Sequence, residues 1–337
     1  MTPTRRVAVA AFVGITIAGV VASGCSSDSS GPRAGTTTKS HRGESRRSKP
    51  PVTEPAPSTV SPPVAPTGAI RAGATGSFEF AGAASLQNRP LKVWYFAPAG
   101  DLASARVLIV MHGQQRDAER YRDEWLPYAR ERDAILVVPE FSEDQYPGPE
   151  RYNLGNLVDA NGNANPHDQW SYSMIEPLFD FVRAESGTAS AGYSLYGHSV
   201  GAQFVHRFML LVPNNRVTEA VSANAGWYTL PDRQIDFPYG LKGTPATDVS
   251  LKRALGSPLV VLLGEDDTDT DSDSLRSTPE ADRQGANRFD RGHYFFGLAR
   301  EQATRMVSPF AWKLETVPNA AHEDAEMAPA AAPILLP

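Results

Sequence analysis

Cysteine is nearly absent. The 337 residues contain one, Cys25, which lies ahead of any segment with the composition of a folded domain. A single thiol so placed excludes an internal disulfide, a thiol nucleophile in the folded part and a zinc site built on cysteine pairs. Long apolar runs are missing too: the stretch from Val7 to Val21 is shorter than the roughly 20 residues a membrane-spanning helix needs. Basic charge is not in excess, with 32 Lys and Arg against 38 Asp and Glu, which argues against nucleic acid as a partner. Between Ser26 and Ile70 large apolar side chains are scarce, so that segment cannot bury enough surface to offset its chain entropy. No internal repeat is visible.

Arg5-Arg6, an apolar stretch and Ala22-Ser23-Gly24-Cys25 together read as an export signal. Small residues running into a cysteine resemble the lipobox of bacterial lipoproteins, although Ala22 stands where leucine is usual. That resemblance implies a lipid on Cys25, a mature chain starting there and attachment to the outer face of the cell membrane. An ordinary cleaved signal with a chance cysteine is the alternative. The expected organisation is a signal over 1–25, a disordered Pro/Ser/Thr-rich tether over 26–70 and one domain over 71–337. Residues 1–70 carry eight basic and three acidic side chains, leaving the remainder near −11. A basic tether beside a lipid anchor would be drawn to anionic head groups.

Within the domain, apolar runs bounded by turn residues recur at Leu91–Phe96, Arg106–Met111, Ala134–Val138, Tyr193–Tyr196, Ala220–Ala223, Leu259–Leu263 and Trp312–Val317. Segments of helical period lie between them, at Ala118–Arg130, Tyr172–Glu185, Val200–Leu211 and Phe289–Met306. Alternating strands and helices predict an α/β domain whose mainly parallel sheet is covered on both faces. In such a sheet, reactive groups gather at the carboxyl ends of the strands. Four ends here run into polar segments: His112-Gly113-Gln114-Gln115, Gly197-His198-Ser199-Val200-Gly201, Gly264-Glu265-Asp266-Asp267 and Asn319-Ala320-Ala321-His322.

A serine between two glycines at a strand–helix junction has the pattern of a nucleophile elbow. A serine hydroxyl is a weak nucleophile at neutral pH and needs a base, which in turn needs an acid to fix its tautomer. Ser199, a carboxylate after Leu263 and His322 supply these in the order Ser, Asp, His. The order, the spacings and the local segments resemble the α/β-hydrolases, in particular their exported serine esterase and polyester-depolymerase-like branch, from about Leu91 to His322. The resemblance implies the α/β-hydrolase fold, no cofactor, and hydrolysis of carboxylic esters through an acyl-enzyme. An amidase or peptidase with the same triad and a noncatalytic binding lipoprotein of the same fold are the alternatives. Carried over, Ser199 is the nucleophile, His322 the base and Asp267 its orienting acid, with Asp266 a rival. The oxyanion donors fall on Val200 and Gln114, with Gln115 as the other possibility. Gln114-Gln115 replaces the glycines of the glycine-rich variant of that loop, which disfavours bulky tertiary esters.

His112, His198 and His206 read as bracing residues rather than bases. His198 also belongs, with Trp227 and Tyr228, to an expected substrate pocket, where the flat side chains after the strand ending at Ala223 would hold an acyl or aromatic group; core packing competes with this. The acidic run Asp266 to Asp273 alternates like a calcium loop, but counted from Asp267 it lacks the glycine and glutamate of an EF-hand and reads as a solvated loop, with a calcium site the alternative; His322 has no second histidine at helix spacing, so no metal is expected. The Gly-, Pro- and Asn-rich segment from Tyr146 to Asn165 either folds over the cleft or lies on the surface. No insertion is large enough for a sizeable helical cap, which predicts an open cleft.

Overall fold

The computed structural model describes residues 68–87 and 89–337. Cys25, the signal and nearly all of the tether lie outside them. Eight strands form one sheet: β1 (Thr75–Phe80), β2 (Leu91–Phe96), β3 (Val107–Met111), β4 (Ile135–Glu140), β5 (Tyr193–His198), β6 (Val217–Ala223), β7 (Val260–Gly264) and β8 (Lys313–Val317). Their spatial order is β1-β2-β4-β3-β5-β6-β7-β8. The β1/β2 and β2/β4 pairs are antiparallel and the rest parallel.

The central strands are apolar on both sides, as a doubly covered sheet requires. In β3, Val107, Ile109 and Met111 face one core while Leu108 and Val110 face the other. One face is covered by α1 (Ala118–Glu131), through Tyr121 and Trp125, and by α7 (Asp324–Leu335), through Met327 and Leu335. The other is covered by α2 (Ile175–Ser186), α3 (Val200–Leu211), α4 (Asp248–Leu255) and α6 (Arg288–Arg305). A four-residue helix, α5 (Pro279–Asp282), precedes α6.

Local sequence explains several boundaries. Thr247 and Ser250 form a reciprocal capping box at the start of α4, and the Asn287 side chain accepts from the Asp290 amide to start α6. The first turn of the expected Tyr172–Glu185 helix is instead 3-10, over Ser171–Met174. Helix α7, which the sequence pattern did not predict, carries Pro329 and Pro333 in its interior. It forms because an Ala-rich stripe, including Ala328, Ala331 and Ala332, is buried against the sheet.

Candidate active site

The elbow is built by sterics. Ser199 sits between β5 and α3 with φ 57° and ψ −113°, a positive φ that a serine adopts only when its surroundings over-determine it. The flanking glycines are what make this possible. A Cβ on Gly197 would lie 2.2 Å from the Gly201 carbonyl oxygen, and one on Gly201 would lie 2.1 Å from that of Met111. The second contact presses the elbow onto the end of β3, where the His112–Gln115 loop begins.

The loops after β7 and β8 are tied to each other and to the end of β6. The Asp266 amide donates to the Ala320 carbonyl (2.9 Å). The Asn224 side chain accepts from the Gly264 amide and donates to the Ala321 carbonyl, both at 2.8 Å. Three side chains meet as a result. His322 Nε2 lies 3.0 Å from Ser199 Oγ, and His322 Nδ1 lies 2.8 Å from Asp267 Oδ2. With the Nδ1 proton donated to the carboxylate, Nε2 is left as the acceptor facing the hydroxyl. Asp267 is 1% exposed and also faces Arg288 Nη1 at 3.4 Å. Asp266, the rival acid, is exposed, and among the described residues no hydrogen bond or ion pair joins its side chain to His322, which is held by Asp267.

The other histidines are placed differently. His112 Nε2 accepts from the Phe141 amide (3.0 Å), its Nδ1 pairs with the Gly113 carbonyl, and burial pushes its pKa down to about 4. His206 accepts from the Thr229 amide and pairs with the Ala202 carbonyl. His198 does not reach the cleft, contrary to expectation. As the last residue of β5 it turns into the protein, with Nδ1 3.2 Å from the Tyr121 hydroxyl and its ring 4.9 Å from that of His322. Burial holds its pKa well below the ordinary value, so a neutral ring backs His322.

A cleft of about 1070 Å³ opens over Ser199, lined among others by Gln114, Gln115, Val200, Trp227 and Arg276. Trp227 therefore borders the cleft as expected. Tyr228 does not: it is fully buried and stacked on Phe295 at 4.4 Å, because the chain turns inward after Trp227. Among the described residues the backbone N–H groups of Val200 and Gln114 donate to no hydrogen bond, so both stay available to an anion. The 146–165 segment contributes Pro149, Asn153 and Leu154 to the cleft wall. It is anchored there by the Tyr152 hydroxyl on the His112 carbonyl (2.7 Å), and by Arg116, which donates to the Phe141 and Gly148 carbonyls and pairs with Glu143. Among the described residues no group of three His, Cys, Asp or Glu side chains is arranged to hold a metal ion, and no helix is long and apolar enough to cross a membrane.

Sequence reasoning missed Arg288, Asn224 and Asp324. The last is the first residue of α7, and its buried Oδ1 accepts from the Tyr196 hydroxyl (2.7 Å). A polar residue at a strand end was the available signal for Asn224; nothing in the local pattern marks the other two.

A mainly parallel eight-stranded sheet with a serine on the elbow after its central strand defines the α/β-hydrolase class. No family model and no curated protein matches the chain. Among solved structures, poly(aspartic acid) hydrolase-1 from Sphingomonas sp. KT-1 is 45% identical, with a TM-score of 0.77 over 79% of this chain and 99% of that one. LpqC, a poly(3-hydroxybutyrate) depolymerase from Bordetella parapertussis, is 33% identical, with a TM-score of 0.73 over 77% of this chain and 88% of the other. The Staphylococcus aureus fluorophosphonate-binding serine hydrolase FphF shares the fold, at 15% identity and a TM-score of 0.51 over 79% of this chain and 98% of its own. The chain belongs to the esterase and depolymerase-like α/β-hydrolases, and it is a hydrolase.

Proposed function

We propose that the protein hydrolyses carboxylic esters through an acyl-enzyme on Ser199. The observation that carries this is the unbroken chain Ser199 Oγ, His322, Asp267, at 3.0 and 2.8 Å. His322 Nε2 takes the hydroxyl proton as Oγ attacks the ester carbonyl carbon, while Asp267 stabilises the imidazolium that forms. The negative charge that develops on the carbonyl oxygen is received by the N–H groups of Val200 and Gln114. Collapse breaks the bond to the alkoxide, which leaves with the proton from His322. Water then attacks the acyl-enzyme, with His322 again the base, and releases the acid.

Amide hydrolysis is the second reading. It is favoured by the 45% identity to a hydrolase named for poly(aspartic acid), a polymer joined by amide bonds. Purified protein tested on 4-nitrophenyl butyrate and on the matching anilide separates the two. Turnover of the ester that is lost in Ser199→Ala supports the proposal, and turnover of the anilide alone would replace it with the second reading. We also place the protein outside the cytoplasm, held to the membrane through a lipid on Cys25. Cys25→Ser should then release it from membranes; unchanged retention would reject the anchor.

A further inference from the structure

Asp267 gives its two carboxylate oxygens to different partners. Oδ2 faces His322 Nδ1 at 2.8 Å, and Oδ1 faces Arg288 Nη1 at 3.4 Å. Both members of the second pair are buried, the arginine side chain 3% exposed and the carboxylate 1%. The other arm of the guanidinium, Nη2, donates to Ser274 Oγ at 2.8 Å and to Ser272 Oγ at 3.4 Å. These serines flank Asp273 in the acidic run that begins at Asp266, so Arg288 holds the loop after β7 at the carboxylate and again further along. The Phe289 amide adds a bond to the Asp267 carbonyl at 3.3 Å.

The helix itself does not account for an arginine at this place. Arg288 is the first residue of α6, where the positive end of the helix macrodipole favours acidic side chains, as Asp290 in the same turn illustrates. Burying a guanidinium there is costly unless a carboxylate meets it, and among the described residues Asp267 is the only one that does. Arg291, also buried, is committed elsewhere, to the Gly226 and Gly285 carbonyls and to Asp282.

His322 is affected in two ways. With each oxygen of Asp267 engaged, the carboxylate is kept from turning away from Nδ1. The positive charge at Oδ1 also competes with the imidazolium for the same negative charge, so protonated His322 gains less from Asp267 than it would from a carboxylate alone. The other groups around the pair do not cancel this. The Tyr228 hydroxyl and the His198 ring are kept neutral by burial, and Arg291 has the same sign as Arg288. Asp324 and Glu326, beside His322 in the chain, are bound to the Tyr196 hydroxyl and the Ala321 amide.

We propose that Arg288 is a positioning residue for the reaction: by gripping Asp267 it fixes the acid behind His322 and lets His322 serve as base at a lower pH than Asp267 alone would allow. Ser272 and Ser274 hold the guanidinium fork to that task. This role rests on the serine-hydrolase reading above.

The test is the pH profile of kcat/KM on 4-nitrophenyl butyrate for wild type, Arg288→Gln and Arg288→Lys. In Arg288→Gln, kcat should fall by about tenfold with KM within about twofold, and the acid limb should move up by about one pH unit. Arg288→Lys keeps the charge without the fork, so its limb should stay within about 0.3 unit of wild type while kcat falls by about threefold. Melting curves establish that each variant is folded, and Arg288→Met, which retains the apolar stem, replaces Arg288→Gln if that variant is not. A limb that stays in place in a folded, uncharged variant would overturn the proposal. Equal displacement in the charged and uncharged variants would overturn it too. Wild type that turns over no ester would instead remove the ester reading; the rate at which a fluorophosphonate labels Ser199 then carries the same comparison of pH profiles, with the same outcomes.

Discussion

At the end of β5, Ser199 is fixed by backbone sterics: two glycines, a positive φ and carbonyl groups so close that no Cβ fits. His322, on the loop between β8 and α7, is fixed by side-chain hydrogen bonds instead. The Asn224 amide holds the Ala321 carbonyl, Glu326 accepts from the Ala321 amide (2.6 Å), and Asp324 receives the Tyr196 hydroxyl from β5 itself. The two halves of one site therefore differ in what disturbs them. The serine side is sensitive to volume. The histidine side contains titratable supports and answers to pH.

The largest expected effect falls where the two halves join. Asp267→Asn should lower kcat by a factor on the order of 10⁴, because the amide favours the wrong tautomer of His322. Asp266→Asn should change it by no more than about twofold; a larger loss at Asp266 would give the orienting role to that residue. Next comes volume on the serine side. Gly201→Ala would drive a methyl group into the Met111 carbonyl and displace the loop that carries Gln114, destabilising the fold by roughly 1–3 kcal/mol and lowering kcat with it. Gly297→Ala, in α6 where a Cβ meets nothing within 4 Å, should instead be neutral or stabilising by roughly 0.5–1 kcal/mol. Denaturant midpoints for the pair check the contrast, and equal losses would break it.

The smallest effect is the pH response of the histidine side. Burial, opposed by the Tyr196 hydrogen bond and reinforced by the Glu124 carboxylate of α1, pushes the Asp324 pKa up to about 8. Glu124 is also bound by Arg120 (2.6 Å), whose charge opposes the rise. The folded state then holds a proton that the unfolded chain gives up near pH 4, so this group's contribution to stability falls as pH rises from about 4 to about 8 and is level above that. Asp324→Asn keeps an acceptor for Tyr196 and removes the titration. Its melting temperature relative to wild type should climb between pH 5 and pH 8; a constant difference would show that the support does not titrate.

The same division governs what could be read from the sequence. Strands β2 to β8 and helix α3 were legible because apolar runs and helical period act locally, and β3 is buried along its whole length. Ser199, Asp267 and His322 were legible because each follows a strand end in a fixed order. Strand β1 was missed because it carries only one buried side chain, Phe80, and α7 because its prolines mask an Ala-rich buried face. His198 and Tyr228 were misplaced because the direction of a side chain at a tight turn depends on the neighbouring strands.

Fluorophosphonate labelling followed by peptide mapping tests the central claim most directly, since only an activated serine reacts. The folded protein should take up one adduct, located on Ser199, and lose it in both Ser199→Ala and His322→Ala. An intact wild-type protein that stays unlabelled, or an adduct on another residue, would contradict the account.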